Sequence, residues 1–185
     1  MPHHTYRQDL MGSASVEPSG SFEAGTWHSF TVTYTCGKFG IDDRGNIKMC
    51  FRGHADQTKL QFDDPKAPGY TTVEASTGIP IELAFEHRRN TRPWNYSLLI
   101  RCNRYLTEGD TLTICIGDPS QGSPGIRLQT MVEPTFEFQI IADPFACYDF
   151  IPLLPENQAT INVVSGPAVS WKAILPTLRR AGEPF

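Results

Sequence analysis

Apolar and polar residues alternate along much of the chain. Phe30, Val32 and Tyr34 share one side of an extended segment, with Thr31, Thr33 and Thr35 on the other. The same period of two recurs where Ile47, Met49 and Phe51 alternate with Lys48, Cys50 and Arg52. It recurs again at Ile81, Leu83 and Phe85, at Leu112, Ile114 and Ile116, and at Phe136, Phe138 and Ile140. Successive side chains of a strand point to opposite faces, so each run predicts a strand with one buried and one wet face. Shorter or less regular runs at 71–75, 96–102, 126–131, 160–165 and 168–174 predict further strands. Turn-forming clusters separate them, such as Gly37-Lys38-Phe39-Gly40, Asp63-Asp64-Pro65 and Glu108-Gly109-Asp110. No long window carries the 3.6-residue period of a helix.

Many short strands with one wet face each predict an all-β fold, an antiparallel two-sheet sandwich of immunoglobulin-like type. The sandwich is expected at 22–142, after an N-terminal extension at 1–21. Residues 143–185 contain Pro144, Pro152, Pro155, Pro167 and Pro176. They read as a Pro-rich segment wrapping the core and linking to a second β domain. Two hairpins can be drawn from the spacing, if 30–36 pairs with 47–53 around the 37–46 loop and if 96–102 pairs with 111–117. In those registers Cys36 would face Ile47, Cys50 would face Thr33, and neither local cysteine pair would sit opposite.

Composition narrows the functional classes. The formal net charge is −4 with no basic block, which argues against nucleic acid or an anionic membrane as partner. No run approaches the apolar length of a membrane span. The five cysteines are odd in number and form no C-x-x-C pair, so free thiols are expected. The polar start, Met1-Pro2-His3-His4-Thr5, lacks a signal core and predicts a cytoplasmic protein. Near the C-terminus, Ala181-Gly182-Glu183-Pro184-Phe185 echoes Ala24-Gly25-Thr26 and the strand that follows it. That echo predicts a chain continuing into another β segment.

Two places offer candidate chemistry. The loop Asp118-Pro119-Ser120-Gln121-Gly122-Ser123-Pro124-Gly125-Ile126-Arg127 combines glycines and hydroxyls that can turn backbone N–H groups toward an anion. It lacks the Gly-Lys-Ser/Thr of a phosphate loop, and the plain alternative is a long turn in which Asp118 bonds its own backbone. Arg92-Pro93-Trp94 sets a planar donor fork beside a stacking face. It suits an interdomain contact or a sugar or carboxylate ligand, or else Trp94 anchors the next strand in the core. The candidate residues are therefore Arg92, Trp94, Asp118, Ser120, Ser123 and Arg127. The acidic pairs Asp42-Asp43 and Asp63-Asp64 lack the spacing of a calcium loop. The histidines are scattered, with no His-Glu-x-x-His, and no Gly-x-Ser-x-Gly elbow is present. No catalytic residue, metal or cofactor is expected in this segment.

The strings Gly40-Ile41-Asp42-Asp43, Gln61-Phe62-Asp63-Asp64-Pro65 with Pro68 and Tyr70, and Arg92-Pro93-Trp94 resemble a bacterial family. Gly117-Asp118, Gly122-Ser123-Pro124-Gly125, Gln129-Thr130, Phe136-Glu137-Phe138 and Asp143-Pro144-Phe145-Ala146 extend the resemblance over most of 16–185. The family is a domain of unknown function whose C-terminal part resembles the polymerase-and-histidinol-phosphatase (PHP) metal-dependent phosphoesterases. The chain is similar to the family's N-terminal region, and Gly53-His54-Ala55-Asp56-Gln57 and the cysteines depart from it. The resemblance implies a non-catalytic module that packs on downstream domains of the same chain, while the parent protein carries the divalent metal elsewhere. A ligand-binding module for carbohydrate or another polar small molecule is the alternative, and a self-standing hydrolase is a third. Homo-oligomerisation stays open.

Overall fold

The computed structural model describes residues 7–87, 92–168, 170 and 172. Within them lie strands β1 (Gly12–Glu17), β2 (Ser21–Glu23), β3 (Trp27–His28), β4 (Phe30–Cys36), β5 (Asn46–Phe51), β6 (Thr71–Ala75) and β7 (Ile81–His87). They continue with β8 (Tyr96–Cys102), β9 (Thr111–Ile116), β10 (Ile126–Arg127), β11 (Glu133–Asp143), β12 (Ile151–Pro152) and β13 (Ala159–Val164). The helices among the described residues are single 3-10 turns at Gln8–Leu10, Pro119–Gln121 and Pro155–Asn157.

Two sheets pack face to face as an all-β sandwich. The smaller runs β1-β4-β9-β6, and the larger runs β2-β13-β11-β5-β8-β7, with β12 beside β11. The pairs are antiparallel except β13 with β2. A short ribbon pairs β3 with β10. Phe30, Val32, Tyr34, Leu112, Ile114 and Ile116 from the small sheet meet Ile47, Met49, Leu98, Ile100, Phe138 and Ile140 from the large one, all buried in one core. The Tyr34 hydroxyl donates to the Met11 carbonyl at 2.6 Å, so the buried phenol keeps a partner.

The alternation placed the inward faces as expected, but not the strand partners. β4 pairs with β1 and β9, and β5 pairs with β8 and β11. Neither hairpin exists. The connections 37–45 and 103–110 cross between the sheets instead of turning back within one. Cys36 therefore sits opposite Gly12, Cys50 opposite Gln139 and Ser97, Cys102 opposite Ile81, and Cys115 opposite Thr31 and Thr72. All five cysteines carry free thiols. The sheets also reach beyond 22–142, because β1 and β13 supply core residues Val16, Ile161 and Val163 from either side of that range. Of the weaker runs, 126–131 is extended over Ile126–Arg127 alone, and 168–174 falls largely outside the described residues.

A second difference concerns β5, which is buried on both faces: Asn46, Lys48 and Cys50 are as enclosed as Ile47 and Met49. The stretch after β11 folds back over that outer side. Lys48 Nζ lies 4.1 Å from the Phe150 ring centroid and 2.9 Å from Glu86. Arg101 donates to the Tyr148 hydroxyl at 3.0 Å. Central strands covered on both faces lose the simple wet-side rule.

Candidate functional site

The candidate residues fall in two regions. Asp118, Ser120 and Ser123 lie in the connection after β9. Asp118 accepts from the Ser120 backbone N–H at 2.9 Å and the Thr72 hydroxyl at 2.8 Å. Burial works against its charge, yet these bonds hold its carboxyl below the ordinary range. Ser123 is buried and donates to the Ala67 carbonyl at 2.9 Å. Ser120 is exposed. The glycines of this loop serve close packing. A Cβ on Gly117 would stand 2.6 Å from the Gly125 backbone, and one on Gly125 would stand 2.5 Å from the His28 carbonyl, both at positive φ. The loop is thus held by its own backbone and by 66–72, which matches the plain turn reading at Asp118 and Ser123.

The other region is richer. Phe51 and Tyr96 are opposite one another where β5 ends and β8 begins. The chain just past that pair brings Arg52 beside Trp94. The Arg52 guanidinium carbon lies 5.3 Å from the Trp94 ring centroid, within cation–π range. Arg52 also reaches Glu133 at 2.6 Å. Glu133 accepts from Gln129 Nε2 at 2.9 Å. Gly53 donates its N–H to the Pro93 carbonyl at 2.8 Å and lies against Asn95, where a side chain would collide. Trp94 is half-buried, and Arg92 is exposed at the tip of the same loop. A shallow pocket of about 330 Å³ is lined by Gly53, His54, Arg92, Pro93 and Asn95.

Residues 52–60 extend this arrangement. Asp56 accepts from the Thr130 N–H at 2.7 Å and its hydroxyl at 2.9 Å, and Arg127 approaches it at 3.6 Å. The Thr130 N–H is the leading cause holding the Asp56 carboxyl below the ordinary range. The Thr58 hydroxyl accepts from the Arg127 N–H at 2.9 Å. Arg127 therefore joins the 52–60 loop and stands apart from Asp118 and Ser123 in role. The result is a polar network tying 52–58 to 127–133 beside the Arg52–Trp94 stack. An exposed pair such as Arg127–Asp56 contributes roughly 0–1 kcal/mol, so the backbone bonds do most of the ordering.

No family model matches the chain, and no curated protein matches it.

Sequence reasoning singled out Arg92, Trp94 and Arg127 but not the 52–60 loop that lies beside Trp94 and Arg127. Its signal was length. Residues 52–70 separate β5 from β6, and loops longer than about 12–15 residues in compact domains tend to be functional. Among the described residues no group of three or more His, Cys, Asp or Glu side chains stands close enough to hold a metal ion. No described helix is long and apolar enough to cross a membrane.

Proposed function

We propose that this chain is a non-catalytic β-sandwich module that docks on a metal-dependent hydrolase domain of PHP-like type and shapes its active site. The docking surface is the end formed by 52–58, 92–95 and 127–133. The observation that carries this reading is the Arg52–Trp94 stack. The ring is half-exposed, and its cation is anchored from behind by Glu133 at 2.6 Å. An aromatic and an arginine fixed in place before contact lose little conformational freedom on binding, and they are the residue types that dominate contact energies. The PHP relationship itself rests on the family resemblance.

The test compares Trp94→Ala in the 185-residue chain and in the full natural product. The short chain should lose about 1 kcal/mol of unfolding free energy, in keeping with a cation–π contact at a part-exposed site. The longer product should lose hydrolase activity and interdomain protection from proteolysis. A loss of about 3–5 kcal/mol from the short chain, the range for core Trp truncation, would make Trp94 a core residue and end the docking assignment. Unchanged activity and proteolysis in the longer product would do the same.

A further inference from the structure

The end of the sandwich opposite the Arg52–Trp94 stack carries a second group of exposed aromatic rings. The docking surface lies where β5 ends and where β8 and β11 begin. At the other end, β5 begins at Asn46, β8 ends at Cys102 and β11 ends at Asp143. At a strand rise of about 3.3 Å per residue, the length of β5 sets the two ends roughly 20 Å apart. The connections leaving the far end enclose a pocket of about 350 Å³ between 38–42, 105–108 and Phe145, at the small end of the range for ligand pockets. Its floor is fixed by backbone. Ile41 and Leu106 exchange hydrogen bonds at 2.9 and 2.7 Å, and the Asp42 N–H donates to the Pro144 carbonyl at 2.8 Å. Gly40 packs so closely that a Cβ there would stand 2.1 Å from the Leu106 carbonyl.

Three rings rim this floor and stay open to solvent: Phe39 is 42% exposed, Tyr105 69% and Phe145 38%. Phe39 and Phe145 meet edge to face, with centroids 5.4 Å apart. Single exposed apolar residues are ordinary, but three rings around one pocket form a patch. The rest of the rim is charged with both signs. Lys38, Asp42 and Glu108 are exposed and line the same pocket, and neither Lys38 nor Glu108 is engaged by any described residue. The two carboxylates oppose an anionic ligand and Lys38 opposes a cationic one. Aromatic faces beside both donors and acceptors suit a neutral molecule with hydroxyls at its edge and an apolar face.

We propose that this pocket binds a neutral pyranose. One face of the sugar lies on the Phe39, Tyr105 and Phe145 rings, and its hydroxyls donate to Asp42 and Glu108 and accept from Lys38. The site goes beyond the docking role and shares no residue with that surface. An open site with a few contacts of this kind supports a dissociation constant in the millimolar range.

The test is a titration of the 185-residue chain with methyl β-glucoside, cellobiose, sorbitol and choline, followed by amide chemical shifts of residues 38–42, 105–108 and 145. The two pyranosides should shift these amides at millimolar concentration. Sorbitol has the hydroxyls without the ring face, and choline has a cation in their place, so neither should match them. Tyr105→Ala, at an exposed position, should weaken pyranoside binding about three- to tenfold, the value of one aromatic contact, and Tyr105→Phe should restore it. Glu108→Gln keeps a hydrogen-bond acceptor and should change pyranoside affinity less than threefold, and Trp94→Ala should leave it unchanged. Absence of shifts with either pyranoside, equal binding of sorbitol, tighter binding of choline with loss in Glu108→Gln, an unchanged affinity in Tyr105→Ala, or loss of sugar binding in Trp94→Ala would each overturn the proposal.

Discussion

Asp143 offers a sharp test of what holds the outer side of the large sheet. It ends β11 and is fully buried. One carboxylate oxygen accepts from the Cys147 N–H at 3.0 Å and lies 3.4 Å from its thiol. The other accepts from the Tyr148 N–H at 2.9 Å and from Asn46 Nδ2 at 3.2 Å. Every one of these partners is a donor, matched by the acceptor oxygens of the carboxylate. The same turn carries Ala146 at φ 55° and Tyr148 at φ 61°, a conformation that side chains disfavour. Asp143→Ala leaves two backbone donors without their charged acceptor. At about 1.5–3 kcal/mol for each hydrogen bond to a charged group, the expected loss is about 3–6 kcal/mol. For a chain of this size that corresponds to a melting point lower by roughly 6–24 °C. Asp143→Asn keeps one acceptor and turns an NH₂ group toward donors, so it should recover less than half. Urea unfolding gives the global loss, and amide exchange at Cys147 and Tyr148 reports whether the turn opens first. An Ala variant within about 1 kcal/mol of the parent, with unchanged exchange at both amides, would refute the reasoning, because hydrogen bonds to charge cannot be that weak when buried.

Two further outcomes follow from buried ionisable groups. Burial pushes the Glu137 carboxyl upward, Arg52 opposes this and Glu133 adds to it. Its folded-state pKa therefore lies above the unfolded one, and the stabilising contribution, complete below the ordinary carboxylate range, is lost as pH rises through the folded value. Glu137→Gln should raise the urea midpoint at pH 7 and give no gain near pH 3; a lower midpoint at pH 7 would count against this sign. For the thiols, burial pushes Cys36, Cys50 and Cys102 up to about 12, while Cys147 is exposed. Ellman titration of the native protein should label Cys147 first and part-exposed Cys115 more slowly, with the other three reacting only in denaturant. Rapid labelling of Cys50 would show that β5 is not covered.

The sandwich was legible from period-two alternation because facing is a local property. Phe30, Val32 and Tyr34 point inward whichever strands flank them. Partnering is not local. The 37–45 stretch looks like a generous hairpin loop, yet it carries the chain to the other sheet, and on the way Ile41 makes an antiparallel bridge to Leu106 in the second crossing at 103–110. β1, with Gly12-Ser13-Ala14-Ser15, offers side chains too small and polar to signal a strand. It is held by its pairing with β4 from Gly12 opposite Cys36 to Glu17 opposite Thr31, which no inspection of residues 12–17 alone discloses.

The same distinction explains the site. Arg92-Pro93-Trp94 announced itself because three unusual residues are adjacent in sequence. Asp118 and Ser123 announced themselves equally, but the features that make a loop distinctive, a short-range acceptor and closely packed glycines, are also what a self-bonded turn requires. What separates the two regions is the partner each acquires from distant sequence. Asp118 meets Thr72 and its own Ser120, the first tying the loop to β6 and the second closing a turn. Trp94 meets Arg52, whose cation is tied to Glu133, and the ring keeps an exposed edge. A residue whose bonding capacity is filled within the fold supports the fold. A rigid aromatic held from behind and open in front has surface left for something else, and that asymmetry is why the functional reading rests on Trp94 and not on the 118–125 turn.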